Sequence, residues 1–494
     1  MSDAFDRIAF CARSEQRVIM IAMARALKKR CGSEIYLYCT GPQEVAYYQK
    51  ANDDGVFTAI VDADTLLDSA FDEGLDENEV FERARALEQS IGLTINRMAV
   101  PDRHFGRGYA LGGFYHPRSR YSETVDYVHM VHAYCTTLAF WDREFRDKAI
   151  TLCINGSREA AYVAHAHGIP YRALAGARYE NYHYWAWNEL YESPMIEQAW
   201  RAIRSDPDIG LEEPYYTHQV SRNRYLRQFS LKFLLQQWSR VTARYAYWNL
   251  RGYKKAKGYY YGETMRYVYR VWRDYRRLYA MNLRRLADLE GKRFVYYPLH
   301  MEPETALHGI SPEYFYQHAL ITAISRDLPA GVMLAVKEAF GSIGRRPDNF
   351  YRHIADLKNV VLLDVWERGF DCAQKADAVV TICGTTAIEA LAAGRPVITF
   401  GRHNIYNFLP SVRIVSDETK LVDYLREVLD EAVDHDEIRR DARKLLQAMV
   451  TCSFDMGSYD YVTLDRFDER VVGDACDALA ATLNGAGQSR VRAG

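Results

Sequence analysis

Short apolar runs alternate with longer amphipathic stretches in the first part of the chain. Arg7 to Ala12 predicts a strand, Glu15 to Arg30 a helix, and Glu34 to Thr40 a strand closed by Gly41-Pro42. Val56 to Val61 predicts another strand and Glu77 to Ile91 a helix. Ala149 to Ile154 predicts a strand stopped by Asn155-Gly156, and Arg158 to His167 a helix ended by Gly168. Strands alternating with helices imply a parallel sheet covered on both faces. Val100 to Tyr121 breaks this rhythm. Its Gly, Arg and aromatic residues predict a long loop, which in a compact domain is often functional.

The same alternation returns later in the chain. Arg293 to Leu299, Val332 to Lys337, Val360 to Asp364, Ala378 to Ile382 and Pro396 to Phe400 read as strands. Pro312 to Arg326, Phe350 to Leu357, Thr385 to Ala393, Thr419 to Ala432 and Asp436 to Met449 read as helices. The expected division is a first α/β domain over 1–200, a helical segment over 201–290, a second α/β domain over 291–455, and a helix with a frayed tail over 456–494.

Charge sets the middle segment apart. Tyr215 to Glu290 holds 17 Lys/Arg against 4 Asp/Glu, a local charge of +13 in a chain whose net charge is -2. The remainder therefore carries -15. The same segment holds 13 Tyr and three Trp: Trp238, Trp248 and Trp272. A packed helical hairpin with a solvated basic face is the plainest reading. An anionic membrane surface is the partner that cations and interfacial aromatics would fit. Single-stranded nucleic acid would also suit cations and stacking rings, but no recognised nucleic-acid module accompanies them, so none is expected as a partner.

Composition narrows the class. With 494 residues, 48% hydrophobic and 26% charged, the chain is long enough for two or three ordinary domains and is not mainly disordered. The nine cysteines form no CxxC pair, which predicts a reduced, cytoplasmic protein without a structural zinc site. Met1 to Arg13 lacks the order of a signal peptide, and no apolar stretch is expected to span a bilayer. The expected location is cytoplasmic, with peripheral attachment at the inner membrane face left open.

Candidate chemistry concentrates in the later α/β pattern. In Gly384-Thr385-Thr386-Ala387-Ile388-Glu389-Ala390-Leu391-Ala392-Ala393-Gly394-Arg395-Pro396-Val397 a strand ends, a turn follows and a helix begins. Free amides at such a helix start favour an anion, and Glu389, one turn on, could accept from ribose hydroxyls. The alternative is a capped helix with an ordinary first-turn acid. His300, followed by Glu302 and Glu304, ends a predicted strand, where open α/β sheets place cleft residues. For a general base, Asp102 and His104 in the long loop are candidates, as are Glu180 and His183. The plainer reading of each is a surface polar group.

Three blocks carry a family resemblance. They are Tyr297-Pro298-Leu299-His300-Met301-Glu302-Pro303-Glu304, Val336-Lys337-Glu338 through Gly344-Arg345-Arg346-Pro347 to Phe350-Tyr351, and the Gly384 to Pro396 string. They resemble the bacterial capsular polysaccharide synthesis family, whose members include Kdo transferases of the GT-B fold. Asn155-Gly156 with Gly168-Ile169-Pro170 fits that family's first domain more loosely.

The resemblance implies two Rossmann-like domains facing a cleft and a glycosyltransferase that moves a sugar from a nucleotide sugar to a glycan or lipid-linked acceptor. It implies no metal and no cofactor. It assigns Lys337, Glu338, Gly384, Thr385, Thr386 and Glu389 to the nucleotide sugar, and places His300 and Glu304 in the catalytic set beside Asp102 and His104. One departure stands out. The family continues Lys-Glu into His-Pro, which helps to hold the donor phosphate, whereas this chain has Ala339-Phe340. Lys337, Arg345 and Arg346 are the cations that could substitute; otherwise the donor differs or activity is lost. A sugar-nucleotide epimerase on the same fold and a non-catalytic polysaccharide-binding or export protein are the alternative functions.

Overall fold

The computed structural model describes residues 3–12, 16–63, 66–99, 102, 105, 125–212, 227, 230–252 and 261–484, except 282, 303, 305, 315, 348, 431 and 458–468. It forms two compact units. The first combines the chain up to Met98 with Asp126–Leu211 and everything from Lys444 on; the second is built mainly from Glu212–Arg443.

In the first unit, strands β1 (Arg7–Cys11), β2 (Glu34–Cys39), β3 (Ala59–Asp62), β4 (Leu152–Ile154), β5 (Tyr171–Gly176) and β6 (Tyr182–Ala186) form one sheet with Phe454–Asp455. The order is Phe454–Asp455, β6, β5, β4, β1, β2, β3. β1 to β5 run parallel, and β6 is antiparallel to both its neighbours. Helix α1 (Arg17–Cys31) buries Ile19, Met20, Met23 and Leu27 and ends at Gly32, whose φ of 72° suits a residue without Cβ. The helix Glu469–Asn484 belongs to this core: Val471, Ala475 and Leu479 pack with Ile8, Phe10 and Leu37. Trp185 Nε1 donates to the Ala475 carbonyl at 2.9 Å, and Arg172 reaches Thr482. The helix expected within 456–494 therefore packs into a core at the opposite end of the sequence. The junction expected at 455 falls at Lys444, inside the helix His435–Thr451.

The second unit begins with helices α2 (Leu231–Leu250) and α3 (Tyr261–Ala280), an antiparallel hairpin. Trp238 Nε1 donates to the Met265 carbonyl at 3.1 Å, and Tyr245 stacks on Tyr261 at 5.0 Å. Lys254, Lys255 and Lys257 lie outside the described residues. Strands β7 (Arg293–Pro298), β8 (Val332–Lys337), β9 (Val360–Leu363), β10 (Ala378–Thr381), β11 (Val397–Thr399) and β12 (Val412–Ile414) form an all-parallel sheet in the order β12-β11-β10-β7-β8-β9. The fold class is thus α/β, with two Rossmann-like units and a helical basic segment between the two sets of strands in sequence. The apolar alternation marked β7 to β11. It did not mark β12, because Arg413 interrupts a three-residue run. Helix α4 (Gly369–Lys375) was also not expected, being only seven residues long.

Sheet topology fixes where chemistry can sit in this unit. From β7 the chain builds outward through β8 and β9, then returns to the other side of β7 for β10, β11 and β12. Connections leaving the ends of β7 and β10 diverge, which opens a crevice beyond their carboxyl ends.

Candidate functional site

His300 and Gly384 meet at that crevice. His300 follows β7. Its Nε2 accepts the Ile382 N–H at 3.1 Å and lies 3.2 Å from Thr381 Oγ1. A ring nitrogen that accepts an amide proton is unprotonated, so the neutral ring carries its hydrogen on Nδ1. Burial, aided by the charge of Arg346, lowers the His300 pKa to about 4. Gly384 follows β10. A Cβ there would stand 3.0 Å from Thr381 Oγ1 and 3.1 Å from His300 Cε1, so a larger residue would have to displace these side chains by a few tenths of an ångström. His300 is thus a neutral latch between two strand ends.

Behind the latch lies a buried ion cluster. Arg346 Nε and Nη2 donate to Glu338 at 2.7 and 2.9 Å, and its Nη1 stands 2.9 Å from Glu302 Oε1. Tyr351 Oη donates to Glu338 at 2.8 Å, and the Ala339 N–H at 2.7 Å. Gln317 donates to Glu302 and to the His300 carbonyl, which also accepts from Arg346 Nη2 at 2.6 Å. Both Glu338 oxygens are engaged twice, so Glu338 is a structural acid and not the nucleotide ligand that the sequence led us to expect. Arg346, fully enclosed between two carboxylates, is likewise no substitute for the family's His-Pro. Of the cations named for that role, Lys337 and Arg345 remain.

Lys337 and Glu389 differ from that cluster. Lys337 ends β8, and Glu389 lies on helix α5 (Thr386–Ala392), so the two flank β7. Among the described residues the Lys337 ammonium has one long hydrogen bond, 3.4 Å to the Glu338 carbonyl. No described residue makes a hydrogen bond or ion pair with the Glu389 carboxylate. Burial pushes the Lys337 pKa down and the Glu389 pKa up, and each opposes the other's shift through its charge. Lys337 and Glu389 are thus a desolvated cation and a desolvated acid with no tight partner among the described residues, beside a strand-order reversal.

The turn itself is more modest than its sequence. Thr385 caps α5 without a side-chain hydrogen bond, and α5 runs only seven residues, so its dipole is short. Gly384 N–H is taken by Thr381 Oγ1 at 3.3 Å. The remaining candidates are less engaged. Glu304 is half-buried, and its carbonyl accepts the His308 N–H at 3.0 Å. Asp102 closes a turn by accepting the Phe105 N–H at 2.9 Å. His104 lies outside the described residues. His183 is buried in β6, its pKa lowered by desolvation. In the first unit Asn155, with φ 57°, donates to Gln16 Oε1 at 2.9 Å and accepts from the Leu174 N–H, so it ties β4 to its neighbours.

Phe340, one half of the Ala339-Phe340 departure, has a structural partner. Its ring meets Tyr275 of α3 edge to face at 5.7 Å, and Tyr275 Oη donates to the Phe340 carbonyl at 3.1 Å. Arg270 of α3 donates to the Arg346 carbonyl at 3.0 Å. The loop after β8 is therefore the seat of the basic hairpin.

Residues 203–410 match the family model for capsule polysaccharide biosynthesis protein. The match takes in the hairpin, the latch, Lys337 and Glu389. No curated protein matches the chain in sequence. Among solved structures, one similar chain is a UDP-glucose: anthocyanidin 3-O-glucosyltransferase in complex with UDP, 10% identical over 97% of this chain and 100% of that one, with a TM-score of 0.31. A glycosyltransferase from Streptomyces nogalater is 12% identical over 97% and 99%, with a TM-score of 0.26. A UDP-GlcNAc 2-epimerase from Neisseria meningitidis bound to UDP-GlcNAc is 10% identical over 97% and 99%, with a TM-score of 0.23. Among the described residues no helix is long and apolar enough to cross a membrane.

Proposed function

We propose that the protein is a glycosyltransferase of capsular-type polysaccharide biosynthesis, taking a sugar from a nucleotide sugar to a glycan or lipid-linked acceptor. The observation that carries this reading is the Lys337 and Glu389 pair flanking β7 where strand order reverses, inside the segment that matches the capsule family. Lys337 would neutralise the donor phosphate as charge develops on it, the kind of preorganised help that dominates such transfers. Glu389 would accept from ribose hydroxyls. The latch of His300, Thr381 and Gly384 would hold the crevice floor at fixed geometry. The acceptor hydroxyl would attack the anomeric carbon, its proton passing to a base, and the nucleotide would leave with the bonding electrons.

A thermal-shift screen of CMP-, UDP-, GDP- and dTDP-linked sugars tests the binding step, because a ligand of the native state raises the melting temperature. The expected result is stabilisation by one nucleotide class, followed by nucleotide release only when an acceptor glycan is added. Sugar isomerisation without acceptor would replace this reading with an epimerase, and no binding by any class would replace it with a non-catalytic role.

A further inference from the structure

Helix α2 has no acidic residue in its twenty positions and carries Lys232, Arg240 and Arg244. Its inner side is accounted for: Leu234 and Val241 are buried, and Trp238 and Tyr245 engage α3. The opposite side is open to water and mixed, with Lys232, Ser239 and Arg240 among exposed apolar side chains. Leu231 is 59% exposed, Leu235 53%, Tyr247 48% and Leu250 87%. At about 100° per residue, Leu235, Ser239, Ala243, Ala246 and Leu250 fall on one stripe. Lys232 lies within that stripe, Arg240 about 60° beyond its edge, and Arg244 about 100° beyond it.

Large apolar side chains gathered on a wet helix face mark an interaction site more often than chance exposure. The chemistry beside them selects the partner. Leucines cannot stack on bases, so a nucleic acid would leave the stripe unexplained. A lipid surface uses both parts: apolar side chains enter the acyl boundary while cations reach the headgroup phosphates. α2 does not meet the length and apolarity of a membrane span, so it would lie in the plane of the surface. Its mounting is firm. α3 is seated on the loop after β8 through Arg270, Tyr275 and Val271, whose Cα would stand 2.6 Å from a Cβ on Gly344.

We propose that the outer face of α2 docks on an anionic lipid bilayer. The inference rests on the surface of α2 and not on the nucleotide-sugar reading, so the two can fail separately. The test is co-flotation of the full chain with vesicles of phosphatidylglycerol and phosphatidylcholine, against phosphatidylcholine alone. Recruitment to the anionic vesicles should exceed the neutral control by about tenfold and weaken as salt rises. Leu235→Glu with Leu250→Glu should lower recruitment by about tenfold, because the buried apolar area is lost. Arg240→Glu with Arg244→Glu should lower it as well. Melting temperature and the nucleotide response should stay as in wild type for both pairs, since these side chains are exposed. Equal recruitment by both lipids, or by neither, overturns the proposal. So does wild-type flotation of the leucine pair, or binding of a single-stranded RNA oligonucleotide in place of vesicles.

Discussion

The His300 imidazole and the Ile382 amide join the ends of β7 and β10: Nε2 accepts the N–H at 3.1 Å at the point where strand order reverses. This contact holds together the two strands whose following loops diverge, and it does so only with the ring neutral.

That requirement gives a pH dependence. The His300 pKa falls from 6.5 to about 4 through burial and then Arg346. The folded value lies below the unfolded one, so its contribution is complete above the unfolded pKa and is lost as pH falls toward 4. The gap corresponds to about 3 kcal/mol. Urea unfolding between about pH 7 and pH 4 should show a steeper loss in wild type than in His300→Gln, whose amide stays neutral. Parallel losses in the two proteins would mean that other groups set the acid sensitivity.

The ion cluster should respond in the opposite way to its parts and its whole. Arg346→Met leaves Glu302 and Glu338 buried without their counter-charge, at a cost of about 3–5 kcal/mol. Replacing all three by apolar residues of similar volume should cost less than the single change, because no charge then stays buried. Denaturant midpoints of the two variants decide it; a triple variant weaker than Arg346→Met would contradict the account.

Much of this was legible in the sequence, and the shortfall is physical. Short apolar runs marked β7 to β11 because a parallel strand covered on both faces is a plain apolar run. The same patterns located the crevice residues, since Lys337 and Gly384 stand where such runs stop. They could not separate Glu338 from Lys337, adjacent polar residues whose fates depend on Arg346, eight positions on. Nor could they show that Phe340 faces Tyr275, or that the helix Glu469–Asn484 closes the core around β1, because those contacts join distant parts of the chain.

Lys337 and Glu389 should matter to ligand and little to fold. Neither has a tight partner among the described residues, so Lys337→Ala and Glu389→Ala should leave the melting temperature within a few degrees of wild type. Each should weaken nucleotide binding by about 1–3 kcal/mol, the usual effect of losing a hydrogen bond to a charged group. Calorimetry with the nucleotide identified in the thermal screen reads this directly. Undiminished affinity in either variant would remove that residue from the site.

The last prediction concerns the joint between the hairpin and the loop after β8. Gly344 has φ 83°, and a Cβ there would stand 2.6 Å from the Val271 Cα and 3.0 Å from its Cγ2. A left-handed backbone already costs a residue with Cβ about 1 kcal/mol, and here the added atom also meets main chain that cannot rotate aside. Gly344→Ala should therefore push α3 away and destabilise the second unit by roughly 2–4 kcal/mol. Phe340→Ala removes only the ring beside Tyr275 and leaves the backbone path intact, so its cost should be smaller, about 1–2 kcal/mol. Limited proteolysis gives the local readout. Cleavage within α2 or α3 should rise in both variants, more in Gly344→Ala, while fragments of the first unit keep their wild-type rate. If Gly344→Ala resisted protease like wild type, the hairpin would not depend on this seat.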